Sequence, residues 1–162
     1  MKAIELSQYG PPEVLQIKEV EKPVPKDNEV LIRVHATTVN FGDLIARNFK
    51  AVTPRNFNMP GLFWFFAKMY FGFNKPNVKR LGSEFSGVVE STGKAVTAYK
   101  PGDPVFGYPG QPMGAYAEYL CMPESGVLAP KPANMSHEEA AASAYGNIMA
   151  LYLLREAGIQ KG

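Results

Sequence analysis

Residues 30–43 read Val-Leu-Ile-Arg-Val-His-Ala-Thr-Thr-Val-Asn-Phe-Gly-Asp, and the first half of this run alternates. Val30, Ile32, Val34 and Ala36 fall on one face, Leu31, Arg33, His35 and Thr37 on the other. Side chains alternate across a strand with a period of two, so this is the pattern of a half-buried strand. Working outward, Val14–Val20 alternates in the same way, and Val88–Thr92 and Tyr116–Met122 are rich in Val, Tyr and Ala. Pro11-Pro12, Pro23-Val24-Pro25 and Pro101-Gly102-Asp103 punctuate these segments as turns or edges. Short strands at this spacing predict a mainly β body, a sandwich or small barrel.

From Ser136 the pattern becomes helical. Ser136 and Glu139 have the spacing of a capping box, in which hydroxyl and carboxylate each satisfy an orphan amide at a helix start. Alanines at 140, 141, 142 and 144 propagate the helix, and Tyr145-Gly146-Asn147 reads as a break. Ile148, Leu151, Tyr152 and Arg155 then recur at helical spacing until Gly158 supplies a stop. Two helical segments are therefore expected after the β body.

The balance of 17 Lys plus Arg against 15 Asp plus Glu leaves a formal charge of +2. The basic residues are scattered among carboxylates, which argues against a nucleic-acid partner. Hydrophobic residues make up 46% and charged ones 20%, a globular composition within the length of one domain. A single cysteine, Cys121, excludes an internal disulfide framework and, with only His35 and His137 besides, a structural zinc site of soft ligands. The N-terminal MKAIELSQYG has no apolar core of a secretory signal, and the apolar run 61–73 is too short for a membrane span of about 20 residues. A cytoplasmic protein without a stable membrane span is the expectation.

Several catalytic signatures are absent. No G-x-G-x-x-G dinucleotide turn occurs, and the spacing from Gly87 to Gly93-Lys94 is wrong for a phosphate loop. His137-Glu138 begins like a zinc-protease helix, but residue 141 is alanine. There is no G-x-S-x-G nucleophile elbow.

What remains is an ordered set of motifs: Tyr9-Gly10-Pro11-Pro12-Glu13-Val14-Leu15, Val34 through Asp43, Leu81-Gly82-Ser83-Glu84-Phe85-Ser86-Gly87 and Pro101-Gly102-Asp103-Pro104-Val105-Phe106-Gly107. Together these resemble the medium-chain dehydrogenase/reductase superfamily, and within it the zinc-free quinone oxidoreductase branch. The resemblance implies a GroES-like β-barrel over residues 1–133, the catalytic or substrate domain, with an insertion at 48–80. Residues 134–162 would be the helical start of an NAD(P)-binding Rossmann domain. The Rossmann strand and Gly-rich turn would follow Gly162, so the chain is expected to be truncated and, alone, to bind cofactor weakly or not at all.

Zinc-dependent relatives carry Cys where Asn40 stands and His where Ser83 stands. An amide and a hydroxyl are poor zinc donors, so no catalytic metal is expected. The implied activity is NAD(P)H-dependent hydride transfer to a quinone or an α,β-unsaturated carbonyl, with NADPH, or NADH, as cofactor and the family's homodimer left open. Two alternatives stand beside it: an NAD(P)-dependent alcohol dehydrogenase, and a non-catalytic GroES-like module that binds a partner.

The resemblance places Asn40 beside nicotinamide and substrate, where its amide would hold the acceptor carbonyl; the plainer reading is a cap at a strand end. Asp43 either orients the cleft or starts the helix after Asn40. These two are the catalytic candidates. Phe41, Trp64, Phe65 and Ser83 are the substrate-binding candidates, and Asn40, Tyr145, Asn147 and Met149 the cofactor-binding ones. Many relatives have Thr at the position of Met149, and Met lacks the hydroxyl. Glu84, in the vacated metal position, is expected to be salt-bridged.

The insertion is densely aromatic, with Phe57, Phe63, Trp64, Phe65, Phe66, Tyr70, Phe71 and Phe73 close together. Monomers seldom expose apolar patches beyond roughly 300–600 Å², so most of this surface is expected to be covered. A substrate lid that also packs on protein is the favoured reading, ahead of a helical hairpin on the barrel. A membrane interface with Lys68 and Lys75 snorkelling ranks third.

Overall fold

The computed structural model describes residues 1–159; residues 160–162, where the sequence places the hand-over to a further strand, lie outside the described residues. Seven strands and three α-helices follow in the order β1 (Lys2–Leu6), β2 (Leu15–Glu19), β3 (Glu29–Thr37), α1 (Phe41–Arg47), α2 (Gly61–Phe71), β4 (Phe85–Thr92), β5 (Pro104–Tyr108), β6 (Tyr119–Pro123), β7 (Val127–Pro130) and α3 (His137–Glu156). The expected strands over 14–20, 30–36, 88–92 and 116–122 correspond to β2, β3, β4 and β6, each shifted at its ends.

β1 and β2 form an antiparallel ribbon, and the other five strands form an antiparallel sheet in the order β6-β3-β4-β5-β7. The edge strands β6 and β7 are not paired with one another, so the sheet is curled but incompletely closed. This corrects the expectation of a mainly β barrel: the fold is mixed, with helix and strand in comparable amounts. The physical reason is the eleven-residue α2 within the aromatic run, together with an α3 that continues as one helix where two segments were expected.

The buried sheet face carries Val30, Ile32, Phe85, Val89, Val105, Leu120 and Met122. Register between β3 and β4 slips at Leu31/Ile32 and again at Val34/Ala36, as β-bulges that increase the local twist. Gly87 lies between these slips, where a Cβ would come within 2.2 Å of the Arg33 carbonyl oxygen. A second cluster of Leu6, Val14, Ala46, Leu81 and Tyr116 ties the ribbon and α1 to the segment that enters β4.

α3 lies across β3, β4 and β5. Its Ser136 hydroxyl accepts from the Glu139 amide at 3.1 Å while the Glu139 carboxylate accepts from the Ser136 amide at 2.8 Å, the capping box read from the sequence. The buried Ala140, Ala141 and Ala144 are small enough for close approach of helix to sheet. His137 Nδ1 is 2.8 Å from Ser86 Oγ and its ring stacks on His35 with centroids 4.5 Å apart. Burial, then the His35 charge, lowers the His137 pKa.

The expected break at Tyr145-Gly146-Asn147 does not occur; α3 runs unbroken to Glu156. An interior glycine costs a helix only about 1 kcal/mol relative to alanine, and a helix already nucleated on the sheet through Ala140, Ala141 and Ala144 propagates across it. Gly158 does end it, with φ +66°.

Cys121 pairs with Leu31 on the edge strand β6, and burial pushes its thiol up to about 11. At pH 8 its thiolate fraction is then far below that of an ordinary cysteine, so alkylation by iodoacetamide should be slower by roughly one to two orders of magnitude until the protein is unfolded in urea. Alkylation at the rate of free cysteine would contradict this environment.

Candidate active site

Asn40 stands between β3 and α1 and uses both ends of its side chain. As the N-cap of α1, its Oδ1 accepts from the Asp43 amide at 3.2 Å, and the Asp43 carboxylate accepts from the Asn40 amide at 3.1 Å. This reciprocal pair is a capping box built from Asn and Asp. At the other end, Nδ2 donates to Ser83 Oγ at 2.7 Å and to Glu84 Oε2 at 3.0 Å. The helix-start readings of Asn40 and Asp43 and the clustering of Asn40 with Ser83 and Glu84 are thus realised together.

Glu84 is the hub. It is 4% exposed, and the salt bridge expected for it is not formed: no cation pairs with it among the described residues. Hydrogen bonds take the counter-ion's place. Oε2 accepts from the Thr38 hydroxyl as well as from Asn40, Oε1 accepts from the Tyr145 backbone amide at 2.8 Å, and the main-chain carbonyl accepts from the Thr37 hydroxyl at 2.7 Å. Hydrogen bonds to an ionised acceptor are roughly twice as strong as neutral ones, which is what makes a buried, unpaired carboxylate tolerable.

Asp43, 2% exposed, also accepts from the Gly82 amide at 2.9 Å. Gly82 has φ +91°, and a Cβ there would strike Tyr116. Burial raises the Asp43 pKa, opposed by its hydrogen bonds from Asn40 and Gly82. The buried Tyr116 phenol is also raised, by burial first and by the Asp43 charge second, and its hydroxyl has no regular hydrogen-bond partner among the described residues. Tyr108 stacks on Tyr145, ring centroids 5.3 Å apart; burial, then the charges of Tyr145, Glu84 and Asp43, raises its pKa. Both phenols therefore keep their protons at neutral pH.

The structure gathers Asn40, Asp43, Ser83 and, through its backbone amide, Tyr145. The other candidates lie apart from this hydrogen-bonded cluster. Phe41 is 71% exposed and stacks on Phe57. Trp64 donates Nε1 to the Val52 carbonyl at 2.9 Å, and Phe65 packs edge-on against Phe66 and Phe73 within its own segment. Asn147 and Met149 are exposed on α3. Thr38, Tyr108 and Tyr116 were missed by the sequence reading. Thr38 had a signal, two residues before Asn40 at the strand end; the tyrosines had none, because only the curl of the sheet brings them near.

The donors around Glu84 are an amide, a hydroxyl and a backbone N–H, all pointing hydrogens at the carboxylate, and a cation would have to displace them. Among the described residues no three His, Cys, Asp or Glu side chains are grouped as metal ligands. An apolar groove of about 530 Å³ lies nearby, lined by Ile4, Leu15, Val34, Ala36, Val39 and Tyr116, but neither Asn40, Ser83 nor Glu84 lines it.

Comparison with known proteins places this geometry. The alcohol dehydrogenase GroES-like domain model matches residues 26–133. A quinone oxidoreductase of Pseudomonas aeruginosa is 34% identical over 155 residues, covering 96% of this chain and 41% of the relative. The structure of the quinone oxidoreductase from Coxiella burnetii superposes with a TM-score of 0.77 at 32% identity, covering 100% of this chain and 46% of that one. The Escherichia coli quinone oxidoreductase complexed with NADPH gives 0.74 at 28% identity, covering 97% and 41%. The chain thus spans less than half the length of these relatives.

Two outcomes test the site. Replacing Glu84 with Gln turns an amide NH₂ toward inward-pointing donors and should cost about 1–3 kcal/mol in urea unfolding, with faster hydrogen exchange at the Tyr145 amide; unchanged stability and exchange would show that the carboxylate is not the tie. Elemental analysis of the purified protein should find zinc well below one per chain, and one tightly held zinc would overturn the metal-free assignment.

Proposed function

The chain belongs to the alcohol dehydrogenase GroES-like family and is homologous to its quinone oxidoreductases, and from that premise we propose that its site serves hydride transfer from NADPH to a quinone or an α,β-unsaturated carbonyl. The observation that carries this reading is the fork of Asn40 Nδ2 on Ser83 Oγ and Glu84 Oε2, an amide where a Lewis acid would otherwise sit. The nicotinamide end of the cofactor fits what α3 offers. Beside Tyr145, which is anchored to Glu84, α3 presents the exposed carboxamide of Asn147 and the thioether of Met149.

When bound, the cofactor supplies the hydride. The chain's own residues do the rest: they position the acceptor, accommodate developing charge on its oxygen and hold a proton. Ser83 Oγ already accepts from Asn40, so its own hydroxyl hydrogen is the donor aimed at the acceptor carbonyl, polarised by the amide behind it. A second donor comes from Asn40 if it exchanges its bond to Ser83 for one to the substrate. Tyr108, stacked on Tyr145 beside this cluster, is the phenol placed to pass a proton to the reduced oxygen, and it is reprotonated from solvent. Asp43 acts through Asn40, fixing its rotamer by the reciprocal cap.

The test uses a protein in which this chain is followed by its nucleotide-binding domain. Asn40→Ser keeps an oxygen for the cap but removes the N–H fork, and should lower kcat/KM for quinone-dependent NADPH oxidation by about 10²–10³-fold, the cost typical of one lost oxyanion donor. Nicotinamide fluorescence should report NADPH binding in both forms. No binding of NADPH or NADH would sink the enzyme reading; binding with an unaltered rate in Asn40→Ser would remove Asn40 alone.

A further inference from the structure

The helix α2 is inside out. Its one charged residue, Lys68, is 3% exposed and points inward, donating to the carbonyls of Phe49 at 2.6 Å and Lys50 at 3.2 Å over the rings of Phe49 and Trp64. Lys68 therefore does not snorkel, and the segment is a single helix rather than a hairpin. The outward residues Leu62, Phe63, Phe65, Phe66 and Met69 are 46–67% exposed. At about 100° per residue, with Tyr70 they fill one continuous arc of roughly 160°. Coverage of the aromatic surface, expected from composition, is not achieved within the described residues.

Within this stretch of sequence the charges depart from the scatter of Lys and Arg among carboxylates read over the whole chain. From Leu44 through Ser83 there is no Asp or Glu, whereas Arg47, Lys50, Arg55, Lys68, Lys75, Lys79 and Arg80 all fall there. The remainder of the chain holds all 15 carboxylates. Arg47 is engaged by the Gly10 carbonyl and Arg80 by Glu5, which Lys18 also approaches. Lys50, Arg55, Lys75 and Lys79 are exposed and form no ion pair among the described residues.

We propose that α2 and its flanks seat on an anionic lipid surface, the outward rings entering the headgroup–acyl boundary and Lys50, Arg55, Lys75 and Lys79 meeting lipid phosphates. An apolar arc bordered by unpaired cations is the composition of a helix that lies in the membrane interface. A second copy fits less well, because a two-fold contact would bring the same unpaired cations toward one another. A soluble protein partner would have to match the rings and also neutralise Lys50, Arg55, Lys75 and Lys79, which an anionic bilayer does at once; Glu5, beside Tyr70, is engaged by Arg80. The inference stands independently of the hydride-transfer reading.

Trp64, the only tryptophan, bonds inward to the Val52 carbonyl, so Phe65→Trp, in the outward arc, is added as the reporter of the contact. The probe is phosphatidylcholine vesicles with about 30 mol% phosphatidylserine, against phosphatidylcholine alone, with and without brominated acyl chains. The 162-residue protein should bind the anionic vesicles at least about tenfold more tightly and lose the preference in high salt, and its Phe65→Trp form should show quenching by the brominated chains beyond that of Trp64 alone. Phe63→Ser with Phe66→Ser should abolish quenching, and Lys50→Ala with Arg55→Ala and Lys75→Ala should abolish the anionic preference. Lys94→Ala, an exposed lysine outside the region, should leave binding within about twofold. Circular dichroism on every variant confirms that the fold is kept. Equal binding to both vesicle types, absent quenching, or an equal loss in Lys94→Ala would overturn the proposal. So would a dimer in analytical ultracentrifugation dissolved by the phenylalanine substitutions, which would give the face to a second copy.

Discussion

A buried carboxylate with no cation beside it organises this protein. Glu84 enters at the head of β4, inside the sheet curl, and can remain there only if every element around it offers a hydrogen. The residue after β3 gives the Thr38 hydroxyl, the α1 cap gives the Asn40 amide, and the middle of α3 gives the Tyr145 N–H. Removing any of these leaves charge under-solvated in a low-dielectric interior, a penalty larger than that of a lost neutral hydrogen bond. The relative placement of β3, α1, β4 and α3 thus depends on one side chain.

The same constraint determines what the site offers a substrate. Asn40 is immobilised from both ends, by Asp43 and by Ser83 with Glu84, so its orientation is set before any ligand arrives. In the proposed reaction the Ser83 hydroxyl hydrogen is the donor that would need no exchange, because Asn40 already occupies the oxygen behind it. The glycines at 82 and 87 belong to this arrangement, since a Cβ at either would push apart the backbone that carries Ser83 and Glu84.

The insertion obeys a different logic. Its inward face is held by backbone carbonyls on Lys68 and by the Trp64–Val52 bond, so polar atoms secure the helix to the body while apolar ones face outward. A helix whose stability came from burying its rings would turn the other way. The sheet and the insertion are therefore organised differently, one around a buried charge and one with its apolar residues outward.

Much was readable locally. The alternation over 30–36, the Ser136/Glu139 capping box and the stop at Gly158 are determined by neighbours in sequence, and periodicity and capping chemistry suffice for them. The grouping of Asn40 with Ser83 and Glu84 came from the motifs of a resemblance rather than from any local pattern. Three matters belonged to tertiary structure alone. Gly146 does not break α3 because its first half, packed on β3, β4 and β5, nucleates a helix that propagates across it; Glu84 has donors instead of a counter-ion because the sheet curls three elements around it; and Lys68 points inward because the carbonyls of Phe49 and Lys50 happen to meet its ammonium. In each case the deciding partner lies more than a helical turn away along the chain, where burial and hydrogen-bond geometry, not periodicity, set the outcome.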